Sequence, residues 1–305
     1  MIHAVVVTYQ PPDVTALLTE LSRQCDAVTV VDNGSDSAAV AALRASCRAT
    51  GAELVAIPAN LGIAKAQNIG VARAMTSSPD FILLSDQDSL PAENMTALLV
   101  EAIEEDERIA ATGPLPSEDR EGADELVYID RGWSPKRATK EELSRPRLDA
   151  AFLLASGCLI RVRALREIGP MREDLFIDHV DLEWGVRARR AGWRLVAVPA
   201  ARLNHSLGDE VVRLPGRAQP IHVHSPIRNY YIVRNTIALV KWNGFPVRWR
   251  IRYTYWAAKY AVFNSFMAGR GPERRRLIAR GLRDGVLGRL GPIGSGGAPT
   301  DISMQ

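Results

Sequence analysis

Short apolar, β-branched runs alternate with runs of helical spacing through the first 84 residues. The apolar runs predict buried β-strands at Ile2–Thr8, Ala27–Val31, Leu54–Ile57 and Phe81–Leu84. The intervening runs predict helices at Val14–Cys25, Ala38–Thr50 and Ile63–Met75. Strands that alternate with helices form a mostly parallel sheet covered on both faces. The sequence therefore predicts an α/β, Rossmann-like fold.

A polar cluster follows each of these strands. The clusters are Thr8 with Tyr9, Asp32–Ser35, Asn60–Gly62 and Asp86–Asp88. Ligands of such sheets bind outside the carboxyl ends of the strands, so the clusters predict one ligand site at that edge. The chain has no G-x-G-x-x-G and no P-loop motif, which argues against the common dinucleotide-binding and ATP-binding folds.

Asp86, Gln87 and Asp88 follow directly on an apolar strand. Carboxylates at such a position are costly to desolvate unless another group compensates them. A Mg²⁺ or Mn²⁺ ion would do so, because Mg²⁺ binds one or two carboxylates together with water and substrate phosphates. The alternative is a polar turn that caps a helix beginning near Ala92. The position after the fourth strand favours the metal.

Asp32 and Asn33 precede a glycine, and Asn-Gly is a common turn dipeptide. They could therefore form only a turn. The alternative is that Asp32 accepts a hydrogen bond from the imide N–H of a nucleobase. The position of Asp32 after the second strand favours this nucleoside interpretation.

Cysteine content and hydropathy exclude several classes. Cys25, Cys47 and Cys158 are odd in number and far apart, so neither a disulfide framework nor a zinc site is predicted. A reducing compartment is the simpler expectation. The start of the chain lacks the pattern of a secretory signal. No apolar run approaches the roughly 18 residues that suggest a membrane-spanning helix.

Seven strings carry a family resemblance. In the first half they are VVVTY at 5–9, VVDNGS at 30–35, NLGIAKAQNIG at 60–70 and LSDQD at 84–88. Downstream they are ASGC at 155–158, FIDHVDLEW at 176–184 and LNHSLG at 203–208. Together they resemble inverting family 2 glycosyltransferases of the GT-A fold, and the downstream strings look like the bacterial rhamnosyltransferase branch. The resemblance covers roughly residues 2–240.

The resemblance implies roles position by position. The positions that match its nucleotide-sugar site are Thr8, Tyr9, Asp32, Asn33, Asn60, Gly62, Lys65, Asn68, Asp86 and Gln87. A helix N-terminus beside Gly62 would suit the anionic diphosphate. The metal positions are Asp86, Asp88 and His205. Without the resemblance, His205 is more simply a strand-end histidine bonded to backbone.

The resemblance does not identify a single residue as the general base. Many relatives carry a Glu-Asp pair before Val-Asp-Leu, whereas this chain has Asp178 and His179 there. The candidates are therefore Asp178, His179 and Asp181. Asp178 is our first choice and Asp181 our second, since a carboxylate need only accept one proton as the new bond forms.

The implied activity is transfer of a sugar, L-rhamnose from dTDP-rhamnose being preferred, onto a glycan or lipid-linked acceptor in cell-surface glycan synthesis. UDP-sugar donors remain open. A nucleotidyltransferase and a non-enzymatic binder are the rivals from other classes, and no nucleic-acid partner is expected. Residues that could hold the acceptor or a diphosphate are Ser156, Gly157, Arg228, Tyr231 and Arg234.

The predicted organisation has three parts. Residues 1–225 form the glycosyltransferase domain, with a nucleotide-binding half at 1–112, a loop region at 113–149 and an acceptor half at 150–225. Residues 226–290 form a basic, aromatic helical region, and 291–305 a disordered tail. Charge supports the division, because residues 226–290 carry 14 basic and two acidic residues while residues 1–225 carry 24 basic and 32 acidic residues.

The helical region contains an aromatic stripe at spacings of three and four: Trp249, Tyr253, Trp256, Tyr260 and Phe263. Such a stripe could pack on the protein's own core. The basic excess favours the alternative, in which the rings lie at the headgroups of an anionic membrane surface. The enzyme is then expected to be cytoplasmic and held peripherally on the inner face of the cell membrane by residues 246–290.

Overall fold

The computed structural model of the chain describes residues 1–117, 126–205, 210–212 and 221–294. The strands are β1 (Ile2–Thr8), β2 (Ala27–Asn33), β3 (Glu53–Ile57), β4 (Phe81–Asp86), β5 (Ser89–Pro91), β6 (Ile109–Ser117), β7 (Tyr128–Asp130), β8 (Pro135–Arg137), β9 (Leu148–Asp149), β10 (Leu159–Arg161), β11 (Arg194–His205), β12 (Glu210–Val212) and β13 (Ile221–Val223). The helices are α1 (Thr15–Gln24), α2 (Ser37–Thr50), α3 (Ile63–Ala74), α4 (Met95–Glu104), α5 (Lys140–Leu143), α6 (Val162–Ile168), α7 (Val180–Arg190), α8 (Pro226–Lys241), α9 (Val247–Phe266) and α10 (Gly271–Val286).

A mixed sheet with the strand order β3-β2-β1-β4-β10-β6-β11-β5 forms the centre of the fold. The strands β1 to β4 are parallel, as predicted, and β10 is antiparallel to β4. The register sets Thr8 beside Asp32 and Val7 beside Asp86. The polar clusters after β1, β2 and β4 therefore meet at one edge of the sheet.

The parallel strands are buried on both faces. Successive side chains of a strand point to opposite faces, so Val5 and Leu84 belong to one apolar cluster while Val6 and Leu83 belong to another. Burial on both faces explains why these runs are continuously apolar rather than alternating. The α/β prediction is confirmed.

The prediction of a loop at 113–149 is wrong in part. Residues up to Ser117 continue β6, and β7 and β8 form an antiparallel hairpin. The short helix α5 has a capping box, in which Thr139 and Glu142 each bond the other's backbone N–H. Prolines and glycines favoured a loop, but the tertiary packing of β6 against β11 overrides that local preference.

The region after residue 225 is helical, as predicted, and its three helices pack onto the α/β part. The aromatic stripe of α9 faces inward rather than outward, so the interpretation of these rings as membrane-facing is corrected. Trp249 is only 1% exposed and packs with Phe245 against Leu182 of α7. Burial of large rings against apolar neighbours is worth more than leaving them at a surface.

The predicted disordered tail begins with ordered residues. The N–H of Gly291 donates to the carbonyl of Asp174 (2.7 Å), and the N–H of Ile293 donates to the Tyr231 hydroxyl (2.8 Å). Residues 291–294 thus pack against α8. The remainder of the predicted tail, residues 295–305, lies outside the described residues.

None of the helices in the described part of the chain combines the length and the apolar composition that crossing a bilayer requires.

The segment before α7 has an unusual backbone. Phe176, Asp178 and His179 all have positive φ angles, between 63° and 66°. Phe176 is the centre of a γ-turn in which the Ile177 N–H donates to the Leu175 carbonyl (2.8 Å). Such conformations are strained in non-glycine residues and persist only where the surroundings enforce them.

Two buried side chains of α8 hold this segment. The Asn235 amide donates to the carbonyls of Leu175, Ile177 and Asp178 at 2.8–3.0 Å. The neighbouring Arg234 guanidinium donates to the Leu175 carbonyl at 2.8 Å. Both side chains are fully buried. We call Arg234 and Asn235 the α8 brace.

Replacing Asn235 with Ala removes the donor for three carbonyls and leaves them without it in a buried site. We expect the free energy of unfolding to fall by about 1–3 kcal/mol, the usual cost of an unsatisfied buried polar group. Urea denaturation measures the change. Asn243→Ala is the matched control, because Asn243 is exposed after α8, and an equal loss in both variants would contradict the bracing role.

Candidate active site

A cavity of about 940 Å³ opens at the edge where the polar clusters meet. Strand ends of the sheet form one wall, the 176–182 segment forms the floor, and α8 and α9 form the opposite wall. The proposed boundary at residue 225 therefore runs through a single site. The cavity brings together these sequence-predicted residues: Thr8, Tyr9, Asn33, Asn60, Gly62, Asp86, Gln87, Asp88, Ser156, Asp178, Asp181, Arg228 and Tyr231.

Hydrogen bonds tie the strand-end clusters to one another. The Tyr9 N–H donates to the side-chain carbonyl of Gln87 (2.7 Å), which joins the ends of β1 and β4. The Asn33 amide donates to Asn60 Oδ1 (3.1 Å), and Asn33 Oδ1 accepts from the Leu61 N–H (2.9 Å). The site edge is therefore held in place by its own polar residues.

Asp32 lies beneath this edge rather than on the cavity wall. It is fully buried, and its carboxylate accepts hydrogen bonds from the N–H and hydroxyl of Ser35. The Thr8 hydroxyl approaches the same carboxylate at 3.4 Å. These contacts fit the turn interpretation, in which an Asp side chain bonds nearby backbone.

Gly62 opens α3 at a point of close approach. Its φ is +87°, and a Cβ there would lie 2.6 Å from the ring and the carbonyl of Phe176. A larger residue would push the 176–182 segment away from the helix start. The first turn of α3 thus reaches the cavity beside that segment.

Lys65 and Asn68 do not line the cavity, contrary to the expectation that they lie near the diphosphate. Lys65 pairs with Glu173 at 3.4 Å. The Asn68 amide donates to the Met171 carbonyl (2.9 Å) and accepts from the Met171 N–H (2.9 Å). Both side chains bind the segment that leads into the 176–182 floor, because they lie on the side of α3 that faces it.

The acidic pair Asp86 and Asp88 lies on the cavity wall. The Asp86 N–H donates to the Ser156 hydroxyl (3.1 Å), which in turn donates to the Ser89 hydroxyl (2.7 Å). The antiparallel pairing of β5 with β11 sets His205 opposite Ser89. The backbone of the predicted histidine therefore lies at the same edge as Asp88, although its side chain lies outside the described part of the chain.

The donor set of this edge suits a hard divalent ion. Two carboxylates are typical ligands of Mg²⁺ and Mn²⁺. Within the residues that the structure describes, no three His, Cys, Asp or Glu side chains lie close enough to hold a metal alone. An ion there would need ligands from His205, a bound phosphate or water.

Asp178 and Asp181 have different environments. Asp178 forms an ion pair with Arg228 of α8, at 2.6 Å from Nη2 to Oδ1. Burial alone would raise the pKa of Asp178, but the charge and hydrogen bonds of Arg228 outweigh it and hold that pKa below its usual value. Its proton affinity is therefore low.

Asp181 takes part in no ion pair among the described residues, and its carboxylate accepts a hydrogen bond from the N–H of Leu182 in its own helix (2.7 Å). Burial raises the pKa of Asp181 to about 6, and the nearby charges of Asp178 and Asp86 add to the effect. A carboxylate in this state binds a proton far more readily than Asp178 does.

His179, the third candidate, lies on the cavity wall as well. Its Nε2 is 2.9 Å from the Thr236 hydroxyl, which itself donates to the Ile232 carbonyl. The hydroxyl must then accept from His179, which assigns the proton to Nε2. Burial lowers the pKa of His179 to about 4, so the ring is neutral at physiological pH.

The acceptor candidates divide into two groups. Arg228, Tyr231 and Ser156 line the cavity. Arg234 and Gly157 do not. Arg234 belongs to the buried α8 brace, which corrects its expected contact with a diphosphate. Gly157 has φ +76° and no room for a Cβ beside Pro114, so it serves the turn before β10.

Sequence reasoning missed the wall opposite the sheet. Tyr253, Trp256 and Tyr260 of α9 line the cavity, and Lys136 and Arg137 of β8 join them. The spacing of the aromatic stripe indicated one face of a helix, but spacing does not say whether that face covers a core, a cavity or a membrane. The β7–β8 hairpin gave no signal of a site.

Comparisons with known proteins find related sequences over most of the chain. The profile of glycosyl transferase family 2 matches residues 4–169. The dTDP-rhamnosyl transferase RfbF of Shigella flexneri is 31% identical over 264 residues, which cover 82% of this chain and 83% of that protein. The N-acetylglucosaminyl-diphospho-decaprenol L-rhamnosyltransferase of Mycobacterium tuberculosis is 26% identical over 308 residues, covering 91% and 97%.

The fold also matches solved structures. The crystal structure of GalNAc-T7 with UDP, GalNAc and Mn²⁺ aligns with a TM-score of 0.59 at 17% identity. The alignment covers 94% of this chain, which spans 56% of that one. The mixed sheet flanked by helices is the GT-A type of fold, so that prediction is confirmed.

The unequal environments of the two carboxylates predict opposite effects on stability. The folded pKa of Asp181 is about 6, above the roughly 3.9 of an unfolded Asp, so its ionisation destabilises the folded state above pH 6. Asp181→Asn should therefore raise the free energy of unfolding at pH 7–8 by about 1–3 kcal/mol. The gain should disappear as the pH falls below about 4.

Asp178→Asn is the matched control with the opposite sign. The lowered pKa of Asp178 contributes stability above the unfolded pKa, so this variant should be less stable than the wild type at pH 7. The difference should shrink as the pH falls toward the folded pKa. Urea denaturation across the pH range tests both, and the same sign for both variants at pH 7 would contradict the assignment.

Proposed function

Because the chain belongs to glycosyl transferase family 2, we propose that it transfers L-rhamnose from dTDP-rhamnose to a hydroxyl of a glycan or lipid-linked acceptor, with inversion at the anomeric carbon. The observation that carries the proposal is one cavity that holds the strand-end groups, the acidic pair and the unpaired Asp181 together. The similarity to the Shigella flexneri dTDP-rhamnosyl transferase supports the choice of donor.

The nucleotide half of the donor fits the edge of the parallel strands. Thr8, Tyr9, Asn33 and Asn60 present hydroxyl, backbone and amide groups there. The N-terminus of α3 beside Gly62 suits the diphosphate, because unpaired N–H groups and the helix dipole favour anions. Asp32 would act indirectly, by fixing the turn that carries Asn33.

Asp86 and Asp88, with His205, are proposed to hold a Mg²⁺ or Mn²⁺ ion. The bound ion would neutralise the charge that the departing dTDP develops. The choice of Mn²⁺ is attractive because an imidazole ligand beside carboxylates suits a softer ion than Mg²⁺. Ser156 keeps the Asp86 backbone in position through its hydrogen bond.

We reverse the order of the two carboxylates and propose Asp181 as the general base. Asp178 is paired with Arg228, which stabilises its ionised form and weakens it as a proton acceptor. Asp181 faces the cavity without a cation. A base whose pKa lies near the working pH combines a useful ionised fraction with good proton affinity, and Asp181 meets that condition better than Asp178.

The reaction then proceeds by a single displacement. The acceptor hydroxyl oxygen forms a bond to the anomeric carbon as the bond from that carbon to the diphosphate oxygen breaks, and dTDP leaves with the electron pair. Asp181 accepts the hydroxyl proton. The Asp178–Arg228 pair fixes α8 against the floor of the cavity and so positions the segment that carries Asp181.

The wall formed by α8 and α9 is proposed to bind the acceptor. Tyr253, Trp256 and Tyr260 offer aromatic faces on which a sugar ring can pack. Arg228 and Arg252 lie on the same side and can bind phosphate oxygens. An acceptor that carries both a sugar and a diphosphate, such as a lipid-linked intermediate, satisfies both features. Its lipid would place the enzyme peripherally on the cytoplasmic face of the membrane.

Replacing Asp181 and Asp178 in turn distinguishes the general base from the residue that only pairs with Arg228. Asp181→Asn should lower the turnover number by about 10²–10⁴-fold, the usual contribution of a general base, with donor affinity little changed. Asp178→Asn should cost less turnover, because it removes only a positioning contact. Steady-state dTDP release and donor titration measure the two effects, and a larger loss for Asp178→Asn would restore it as the base.

Metal dependence tests the donor half of the site. The purified protein should release dTDP from dTDP-rhamnose with Mn²⁺ or Mg²⁺ present, and EDTA should abolish the release.

Asp88→Asn should weaken Mn²⁺ binding measured calorimetrically in the presence of dTDP, because one of two carboxylate ligands is lost. Asp80→Asn, at the other end of β4 and bonded to the N-terminus, is the control. Turnover that survives chelation would contradict the metal, and a preference for UDP-sugars would contradict the donor.

A further inference from the structure

The outward face of α9 carries an exposed apolar stripe. Five of its side chains are between 57% and 73% exposed: Val247, Ile251, Tyr255, Val262 and Phe266. Their spacings of four, four, seven and four residues keep them on one side of a helix with about 3.6 residues per turn. We call this set the α9 outer face. Isolated exposed apolar residues are common, but a continuous stripe of five along one helix marks an interaction surface.

The α9 outer face is opposite to the face that lines the cavity. Trp249, Trp256 and Tyr260 lie about half a turn away from Ile251 and Val262 around the helix. The inner residues pack on the protein or line the site. The aromatic stripe that the sequence displays is therefore not the surface left for a partner.

Exposed apolar surface continues beyond the helix. Trp133, at the tip of the β7–β8 hairpin, is 59% exposed. The Arg248 guanidinium lies 5.6 Å from the centre of its ring, which brings the hairpin tip next to the start of α9. Tryptophan is enriched at protein and membrane interfaces, where one end of the ring lies in apolar surroundings and the other end contacts water.

Basic side chains surround the α9 outer face. The guanidinium of Arg252 and the ammonium of Lys259 each lie 5.6 Å from the Tyr255 ring centre, and Arg275 lies 5.8 Å from that of Phe266. The exposed basic residues of α9, α10 and the turn between them are Arg248, Arg252, Lys259, Arg270, Arg275, Arg276 and Arg283. Of the two acids in this part, Asp284 is buried, which leaves Glu273 as the exposed one.

We propose that the α9 outer face, together with Trp133, docks the protein on an anionic lipid bilayer. An exposed apolar stripe flanked by cations matches a surface that is apolar in its interior and negative at its headgroups. A protein partner would need acidic residues placed to match the cations around the α9 outer face. A second copy of this chain would bring its own cations against these cations, which repel. The inference rests on the peripheral location in the proposed function and names the face that makes the contact.

The docking places the reaction next to the bilayer. One helix then separates the lipid headgroups from the cavity, because the inner side of α9 is part of the cavity wall. An acceptor whose diphosphate lies at headgroup depth could reach Arg252, which contacts both the Tyr255 ring on the outer face and the cavity.

Vesicle sedimentation with the full chain tests the proposal. The wild type should pellet with vesicles of phosphatidylglycerol and phosphatidylcholine, and should pellet less as salt rises from about 0.1 M to 1 M, where screening shortens from about 10 Å to 3 Å. The double variant Ile251→Ser with Phe266→Ser should bind about ten-fold or more weakly, because two apolar side chains no longer leave water. Leu90→Ser, at an exposed leucine of β5, is the matched control and should bind as the wild type does.

A site-specific probe keeps the test independent of the double variant's folding. Cys25, Cys47 and Cys158 are buried, so Val262→Cys can be labelled selectively with an environment-sensitive fluorophore. The label should shift to the blue with anionic vesicles, whereas a label at Leu90→Cys should not. Release of dTDP without vesicles should be the same in the double variant and the wild type, because neither substituted residue lines the cavity. Vesicle binding is measured without any transferase assay, so a failure of the proposed activity leaves the binding result unchanged.

Three outcomes would overturn the proposal. The first is vesicle binding by the double variant that equals that of the wild type, and the second is a Val262 label whose emission does not shift with anionic vesicles. The third is a dimer of the wild type, detected by light scattering, that becomes a monomer in the double variant. That result would assign the α9 outer face to contact with a second copy of the chain.

Discussion

The contact between the α8 brace and the backbone before α7 supports the rest of the site. Phe176, Asp178 and His179 hold positive φ angles, which an isolated chain would abandon. The Asn235 amide fixes this shape, because its hydrogen bonds to the carbonyls of Leu175, Ile177 and Asp178 exist only when the chain follows it. This segment leads directly into the first turn of α7, which carries the proposed base Asp181, and its Phe176 contacts Gly62 at the start of α3. The buried Asn235 amide therefore supports both halves of the cavity.

Two carboxylates three residues apart acquire different chemistry from this arrangement. The turn directs Asp178 toward Arg228, where an opposite charge stabilises its ionised form. Asp181 lies in the first turn of α7, among buried groups and other acids, where ionisation is disfavoured. The difference comes from what each side chain faces, since the residue type is the same. It separates a positioning ion pair from a group able to accept a proton.

The helix α9 joins the site to the surface through its two faces. Its inner aromatic residues, among them Trp256 and Tyr260, line the cavity that holds the acidic pair. Its outer residues, among them Ile251 and Phe266, are left in solvent beside a field of cations. A helix of 20 residues with apolar side chains on two opposite sides is expected only where each side has its own partner.

The sequence by itself determined the parallel strands, the edge at which Thr8, Asn60 and Asp86 meet, and the family, because strand period and strand-end position are local properties of the chain. It left the base undecided and assigned the aromatic stripe of α9 to a membrane. Only the tertiary structure gave Asp178 its cation, enclosed that stripe and exposed the opposite face of α9. Those outcomes depend on which elements distant in sequence come into contact, and neither the period nor the composition of one segment specifies its partner.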